Sequence, residues 1–339
     1  MRLLRLAAAI ALTCSAFAAE PTLESVERVW GQTPHSAFGD LIRFQNRWFC
    51  TFREGLRHVA GGNVPKDDGK IRVIASRDGK VWESQALVEE TGTDLRDPHL
   101  SVTADGRLML VMGGSIYENA TYMGRQPRVA FSSDGRAWNQ PRRVLREGDW
   151  LWRVTWHKGW AWGVAKYGSP GRTGSGNTRR ADLVRSRDGV RWETVVETKV
   201  DGADETTVRF LKDGTMVALM RRVWGDRNTA MVGHAKAPYT QWTWKDLGTF
   251  IGGPNFIVLP DGTMWAGGRH FRDPAGKDPV TVLARLTLDS YQPVLTLPSG
   301  ADSSYPGFVW RDGRLWMSYY SSHEGKTAIY LARIRIQGR

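Results

Sequence analysis

The feature that most constrains the fold is a turn-like motif that occurs three times in the chain. Its form is Ser-x-Asp-Gly-x-x-Trp, and the copies SRDGKVW, SSDGRAW and SRDGVRW begin at Ser76, Ser132 and Ser186. An Asp-Gly pair favours a tight turn between two strands, and the tryptophan can pack back over that turn. Such internal repeats indicate one supersecondary unit that is copied along the chain.

A second repeat extends over almost the whole chain. Alternating apolar runs flank six turns, as in LSVTADGRLMLV and FVWRDGRLWMSY. The turns lie 48 to 59 residues apart, at Asn46, Asp105, Lys158, Asp213, Asp261 and Asp312. With strand-like periods throughout, the sequence predicts an all-β fold: a six-bladed β-propeller with four-stranded blades. The alternative, a β-sandwich, would not need six equal periods.

The two ends of the chain are candidates for closing the ring. ERVW near the N-terminus and IYLARIRI at the C-terminus both read as strands. The Ser-x-Asp-Gly-x-x-Trp turns are expected to join the third and fourth strands of their blades. We therefore interpret them as structural and place them on the face opposite the strand ends discussed below.

The first residues read as an export signal. Arg2 and Arg5 precede a short apolar run and a small-x-small site at 16–18. We therefore expect residues 1–18 to be a signal peptide, 19–339 to be one propeller domain, and the protein to be secreted or periplasmic. The apolar run is too short to span a bilayer. Cys50 alone remains after cleavage, so no intramolecular disulfide is expected.

The formal charge of +12 is consistent with an anionic partner. An acidic glycan, a lipid headgroup or a nucleic acid would each suit it, and general surface basicity is the alternative. Nucleic acid is not expected, because the chain shows no organised stripe of aromatic and basic residues for stacking. The histidines, among them His35, His58, His99 and His270, show no metal-ligand spacing. Neither a metal nor a cofactor is therefore expected.

Charged residues recur at the open ends of the predicted hairpins. Because the first strand of a blade runs into its turn and the second runs back, these ends share one face. Seven or eight residues from the turns lie Asp97, Glu205, Tyr305, Arg53, Arg221 and Arg269. Arginine grips a carboxylate with a fixed fork, so three of them indicate a carboxylate ligand. Separate salt bridges, such as Arg221 with Glu205, are the alternative interpretation.

The turn motif resembles the Asp box of the sialidase superfamily, whose members are six-bladed propellers, and the resemblance covers essentially the whole mature chain. Sialidases hold the substrate carboxylate with three arginines and use a tyrosine nucleophile with a glutamate partner and an aspartate acid/base. The resemblance implies that Tyr305 is the nucleophile and Glu205 its partner. It offers Arg53, Arg221 and Arg269 as the clamp; Glu54-Gly55 after Arg53 departs from the family's Phe-Arg-Ile-Pro pattern.

The resemblance also implies residues around the sugar. The segment LRDPHL offers Asp97, with Arg96 beside it, for the substrate's far hydroxyls. The acid/base is expected between Arg53 and the first turn motif, where Asp67 and Asp68 are the candidates; Asp68 is preferred and Asp67 is kept as a substrate contact. The implied function is a retaining exo-α-sialidase acting on sialylated or other acidic glycans.

Two other functions stay open. A hydrolase, lyase or transferase for a related ulosonic acid, such as Kdn or Kdo, would show the same arginines. A propeller that binds an acidic glycan without turnover would show the same charge. The sequence does not distinguish these, nor does it give linkage preference or oligomeric state.

Overall fold

The structure is a computed structural model that describes residues 20–58, 68–118, 121–167, 180–223, 228–273 and 276–336. The first strands are β1 (Pro21–Trp30), β2 (His35–Phe44), β3 (Arg47–Gly55), β4 (Lys70–Ser76), β5 (Glu83–Val88), β6 (Asp94–Val102), β7 (Leu108–Glu118), β8 (Thr121–Ser132), β9 (Arg142–Arg143), β10 (Asp149–Leu151), β11 (Thr155–His157), β12 (Trp160–Tyr167) and β13 (Arg180–Ser186). The others are β14 (Trp192–Glu197), β15 (Ala203–Phe210), β16 (Met216–Arg222), β17 (Met231–Ala235), β18 (Thr243–Asp246), β19 (Gly252–Val258), β20 (Met264–Phe271), β21 (Pro279–Leu286), β22 (Tyr291–Thr296), β23 (Ser303–Arg311), β24 (Arg314–Ser321) and β25 (Ala328–Ile336).

These strands form six antiparallel sheets, arranged as the blades of a six-bladed β-propeller. Blades one and two run β2-β3-β4-β5 and β6-β7-β8-β9, and blade three runs β10/β11-β12-β13-β14. Blades four and five run β15 to β18 and β19 to β22, and blade six runs β23-β24-β25-β1. The first strands of neighbouring blades contact one another, so they line the central axis. The predicted fold class is confirmed.

The chain closes the ring by pairing its two ends. Strand β1 lies antiparallel to β25 and completes the last blade as its outermost strand. ERVW lies in β1 and IYLARIRI in β25, as the sequence predicted. Backbone hydrogen bonds between the ends therefore join the last blade into a complete sheet.

The hydrophobic core is divided among the blade interfaces. Five of six apolar clusters lie between two neighbouring blades, and the sixth, between blades six and one, also includes Trp150 and Trp152 of blade three. Between blades six and one, for example, the rings of Trp48 and Trp316 pack with centroids 4.5 Å apart. Large aromatic side chains supply much buried area, so the tryptophan-rich composition suits this arrangement.

The three Ser-x-Asp-Gly-x-x-Trp turns share one hydrogen-bond pattern. In the first, the Ser76 hydroxyl donates to Asp78, and the Asp78 carboxylate accepts from the backbone amides of Lys80 and Val81. The indole of Trp82 donates to the carbonyl of Gly79 at 3.2 Å. The copies at 132–138 and 186–192 repeat these contacts. All three join the third and fourth strands of a blade, as predicted.

A two-residue bulge interrupts the inner strand of five blades. Two residues of that strand oppose one residue of its neighbour at Phe38–Gly39, Asp97–Pro98, Asp204–Glu205, Gly253–Pro254 and Tyr305–Pro306. In blade three, residues 152–154 separate β10 from β11. Bulges bend a strand and re-aim its side chains. They occur at the face where first strands begin and second strands end, which we call the funnel face.

The sequence also made predictions about a signal peptide and about membrane spans. The predicted signal peptide, residues 1–18, lies outside the described residues. Within the ranges given above, no helix has the length and apolar character needed to cross a membrane.

Candidate functional site

Tyr305 and Glu205 form the centre of the funnel face. The Tyr305 hydroxyl donates to Glu205 Oε1 at 2.8 Å, although the two residues are 100 positions apart. Arg221 Nη1 and the backbone amide of Gly253 both donate to Glu205 Oε2 at 2.9 Å. One carboxylate oxygen is thus held in place while the other faces the phenol. The structure brings together the residues predicted as nucleophile, partner and clamp arginine; their catalytic roles stay predictions.

Local backbone geometry aims Tyr305 at Glu205. Tyr305 is the first residue of the β23 bulge and has a φ of +54°, which is uncommon for a bulky residue. Its ring lies directly over Gly253: a Cβ at Gly253 would come within 1.9 Å of Tyr305 Cδ1. Gly253 is therefore required by close approach as well as by its own φ of +62°. Non-glycine residues with positive φ, such as Tyr305, occur preferentially at functional sites.

An apolar wall surrounds the Tyr305 ring, which is 8% exposed. Phe38 and Trp152 lie with ring centroids at 5.2 and 5.1 Å, and Tyr320 at 5.7 Å. Burial raises the pKa of Tyr305 well above its usual value, and the charges of Glu205 and Asp97 raise it further. Tyr305 is therefore neutral in the free protein and holds its proton until a base accepts it directly.

Three arginines have their charges within interaction range of Tyr305. They are Arg96, Arg221 and Arg269. The guanidinium of Arg269 donates to the Ser303 carbonyl at 2.8 Å and to the Tyr320 hydroxyl at 2.8 Å. Each of the three also contacts a carboxylate: Asp94, Glu205 and Asp302, respectively. The salt bridge between Arg221 and Glu205, which was the alternative interpretation of the sequence, is therefore present. We call these residues the arginine cluster.

Arg53 does not belong to the arginine cluster. It is fully buried, with 0% exposure, and its Nε donates to Asp94 Oδ1 at 2.7 Å. A Cβ on either Gly55 or Gly69 would lie within 2.3 Å of the guanidinium, so backbone encloses it on both sides. The structure therefore gives no geometric support to Arg53 as a substrate contact, and that role stays a prediction; Arg53 joins blade one to blade two. Arg96, predicted beside Asp97, takes the third position near Tyr305.

Asp97 is a buried carboxyl group at the funnel face whose pKa is raised. It is the first residue of the β6 bulge, with a φ of +50° and 7% exposure. Burial raises the pKa of Asp97 to about 6; Arg96 opposes this rise and the charge of Glu205 adds to it. Its Oδ1 has no hydrogen-bond partner among the described residues. A carboxyl group that changes protonation near neutral pH can donate or accept a proton in catalysis.

Asp68 lies beside the residues that follow the outermost strand of blade one. Its carboxylate accepts from the Gly92 amide at 3.1 Å, and it lines a cavity of about 290 Å³ with Lys70 and Glu89. Glu89 follows β5, the outermost strand of blade one, so this cavity is at the rim and not on the axis. The structure thus gives no geometric support to Asp68 as acid/base. Asp67 lies outside the described residues.

Sequence reasoning missed a cluster beside Arg269. His35 Nε2 and His58 Nδ1 contact Asp302 Oδ2 at 3.0 and 2.5 Å, and Asp302 Oδ1 accepts from the Tyr320 hydroxyl. The three donor atoms lie within 4.8 Å of one another, so this group could hold a metal ion. The sequence contained one signal for Asp302. It precedes the bulge residue Tyr305 by three positions, just as Asp94, which pairs with Arg53, precedes the bulge residue Asp97 by three positions.

Comparison with solved structures shows the fold. A protein of unknown function from Dyadobacter fermentans superposes with a TM-score of 0.79 at 18% identity, over 94% of this chain and 99% of its own. The Trypanosoma rangeli sialidase in complex with the inhibitor DANA gives 0.67 at 14% identity, over 94% and 58%. An α-L-arabinofuranosidase from Fusarium graminearum in complex with an iminosugar inhibitor gives 0.67 at 13% identity, over 92% and 98%.

The chain shares its fold with these proteins. No family model matches it, and a search of curated proteins finds no match. Two of the three neighbours are glycoside hydrolases, and this chain spans 58% of the sialidase chain. At identities of 13 to 18% the likeness is one of fold, and function has to be argued from the site.

Proposed function

We propose that this protein is a retaining exo-glycosidase that releases a terminal acidic sugar, with an α-linked sialic acid as its substrate. One observation carries the proposal: the Tyr305 hydroxyl donates to Glu205 at 2.8 Å within the arginine cluster. Sialidases are the noted tyrosine exception among glycosidases. The fold shared with two glycoside hydrolases supports the same class of activity.

The dyad suits a substrate that carries a carboxylate on its anomeric carbon. Such a carboxylate repels an anionic nucleophile, whereas Tyr305 is neutral because burial and nearby carboxylates raise its pKa. As the phenol oxygen attacks the anomeric carbon, Glu205 Oε1 takes the phenol proton. Arg221 and the Gly253 amide keep the other Glu205 oxygen fixed during this transfer. A glycosyl-tyrosine intermediate then gives retention of configuration.

The arginine cluster supplies recognition of the substrate carboxylate. Guanidinium groups bind carboxylates through paired, charge-assisted hydrogen bonds. Arg221 is held by Glu205 and Arg269 by Asp302, so both are ordered before substrate arrives. Preordered binding groups lower the entropic cost of orienting the anomeric carbon against Tyr305.

Asp97 is the proton donor to the leaving oxygen in this proposal. Burial raises the pKa of its carboxyl group to about 6, its charge interacts with that of Glu205, and the same charge raises the pKa of Tyr305. It is therefore protonated in mildly acidic solution, when it can serve as an acid, and can later accept a proton from water. Asp68, which binds the Gly92 amide at the rim, has no comparable position.

The test of the nucleophile uses an aryl sialoside and a trapping reagent. We expect release of the phenol by the wild type and loss of release in Tyr305→Phe. Tyr291→Phe is the matched control, since its buried hydroxyl has no partner among the described residues. The Trypanosoma rangeli sialidase has been captured with 2,3-difluorosialic acid as a covalent intermediate. Mass spectrometry should locate the same adduct on Tyr305; undiminished release by Tyr305→Phe would refute the assignment.

The test of the proton donor compares two leaving groups. An aryl leaving group needs little protonation, whereas an alkyl leaving group needs a full proton. Asp97→Asn should lose turnover of the alkyl sialoside far more than of the aryl sialoside. Asp68→Asn and Asp67→Asn should affect both substrates equally, and a selective loss in either variant would transfer the role to that residue.

A panel of acidic glycosides tests the two alternatives. Turnover of Kdn or Kdo glycosides without turnover of sialosides would keep the mechanism and change the substrate. Binding of acidic sugars without turnover of any of them would favour the non-catalytic propeller. The burial of Arg53, which departs from the sialidase clamp, is the observation that makes this panel necessary.

A further inference from the structure

Three side chains from distant parts of the chain converge beside the arginine cluster. His35 begins β2, His58 lies in the connection after β3, and Asp302 lies just before β23. His35 Nε2 is 3.0 Å and His58 Nδ1 is 2.5 Å from the same carboxylate oxygen of Asp302. All three donor atoms lie within 4.8 Å of one another. Two imidazole nitrogens and one carboxylate oxygen therefore face a single point.

We propose that His35, His58 and Asp302 form a binding site for one divalent transition-metal ion, with zinc as the ion that suits it best. Imidazole nitrogen with carboxylate oxygen is a donor set of zinc sites, whereas magnesium and calcium take oxygen donors. The site goes beyond the proposed glycosidase activity and does not depend on it.

The donor atoms can reach the spacing of a tetrahedral ion if two partly exposed side chains move outward. Bonds of about 2.0–2.2 Å at tetrahedral angles place neighbouring donor atoms roughly 3.3 Å apart. The observed nitrogen-to-oxygen separations of 3.0 and 2.5 Å are shorter than this by about 0.3 and 0.8 Å. The two imidazole nitrogens lie within 4.8 Å of each other. The side chains of His58 and Asp302 are 44% and 25% exposed, so both have room to move outward by the difference.

Neighbouring contacts orient the carboxylate. Asp302 Oδ1 accepts from the Tyr320 hydroxyl at 2.8 Å and from Arg269 at 3.1 Å, which leaves Oδ2 directed at the two imidazoles. Such outer contacts fix ligand orientation at metal sites. Three protein ligands and partial exposure leave a fourth coordination position for water or a substrate oxygen.

The consequence is a link between the first and last blades. An ion here would fasten the connection after β3 to the segment that leads into the Tyr305 bulge. That connection is also anchored by Arg96, whose Nη2 donates to the His58 carbonyl at 3.1 Å. Metal binding would therefore tie His58, whose carbonyl accepts from Arg96, to Asp302, which accepts from Arg269.

The experiment is a zinc titration of the untagged full chain after removal of metal by a chelator and dialysis. Isothermal titration calorimetry should show one zinc ion bound per chain. His35→Gln and His58→Gln should each weaken binding by at least about 100-fold, since each removes a ligand directly. Glutamine can still donate a hydrogen bond to Asp302, so the folded structure is preserved. His234→Gln, in β17 of blade four, is the matched control and should bind zinc as the wild type does.

A second measurement keeps the outcome decisive if a variant unfolds. Cobalt bound to the wild type in place of zinc should give the intense visible absorption of a tetrahedral nitrogen and oxygen site. Zinc should displace the cobalt and remove this absorption. Equal zinc affinity in the wild type and both glutamine variants, or a cobalt complex without tetrahedral absorption, would overturn the proposal and leave a hydrogen-bonded histidine–aspartate cluster.

Discussion

Asp97→Asn should make the protein more stable at neutral pH, which is unusual for a substitution of a buried polar residue. Asp97 is 7% exposed and its Oδ1 has no hydrogen-bond partner in the described part of the chain. Burial disfavours the ionised form, so the pKa of this carboxyl group rises from 3.8 to about 6. Asparagine has nearly the same shape, carries no charge and is tolerated at positive φ.

The size and sign of the effect follow from proton linkage. A shift of about two pKa units corresponds to about 3 kcal/mol, at 1.36 kcal/mol per unit. Above pH 6 the Asp97 carboxylate is ionised in both the folded and the unfolded state, and the folded state bears the full free-energy cost of burying that charge. Below about pH 4 it is protonated in both states and the penalty is absent. Asp97→Asn should therefore raise the free energy of unfolding by up to about 3 kcal/mol at pH 7 to 8 and hardly at all below pH 4.

Urea unfolding of both proteins between pH 4 and pH 8 measures this difference. Asp213→Asn is a control of opposite sign, because a backbone hydrogen bond from Thr215, with one from the Thr215 side chain, lowers the pKa of Asp213 in an exposed turn. It should destabilise the protein above the unfolded pKa and leave turnover unchanged. An Asp97→Asn variant that is less stable than the wild type at pH 7, with a difference that does not vary with pH, would refute the reasoning.

Three other substitutions test the site. Arg53→Met removes the arginine that donates to buried Asp94 at 2.7 Å and leaves Arg96 at 3.6 Å from that carboxylate. Denaturant unfolding should therefore show a loss of up to about 3–5 kcal/mol with no change in KM; a raised KM at unchanged stability would return Arg53 to the clamp. Gly253→Ala places a Cβ 1.9 Å from Tyr305, so it should abolish turnover of an aryl sialoside while circular dichroism stays native. Glu205→Gln should lower kcat about 10²–10⁴-fold; a kcat within twofold of the wild type would exclude Glu205 as the base.

The periodicity of the sequence was sufficient to predict the fold. Six turns at similar spacing required six similar units, and the strand-like ends had to pair to complete the ring. Equivalent positions within those units then placed Tyr305, Glu205 and Arg221 on one face. These predictions rest on chain geometry that repeats, so they did not need knowledge of any particular contact.

Arg53 shows that counting residues along one hairpin does not predict whether a side chain is exposed at the funnel face. Arg53 pairs with Ala37 and Arg269 pairs with Gly252, each one residue beyond the bulge. Each reaches across to the next blade, Arg53 to Asp94 and Arg269 to Asp302. The register is equivalent, but the glycines at 55 and 69 enclose Arg53, whereas Arg269 remains partly exposed. Enclosure depends on contacts between blades, which no count within one hairpin contains.

The bulges explain why the funnel-face residues lie either seven or eight positions from their hairpin turns, and not at one fixed distance. Side chains alternate between faces along a strand, so an inserted residue reverses the face of everything that follows. Arg221 lies opposite the Asp204–Glu205 bulge and donates to Glu205, while the next residue along β16 turns outward to Asp246. A sequence rule was nevertheless available. Proline cannot donate to a sheet ladder and is confined to edges and bulges. Pro98, Pro254 and Pro306 occupy equivalent positions in three inner strands and therefore mark three bulges. The first residue of each bulge is the one before the proline: Asp97, Gly253 and Tyr305.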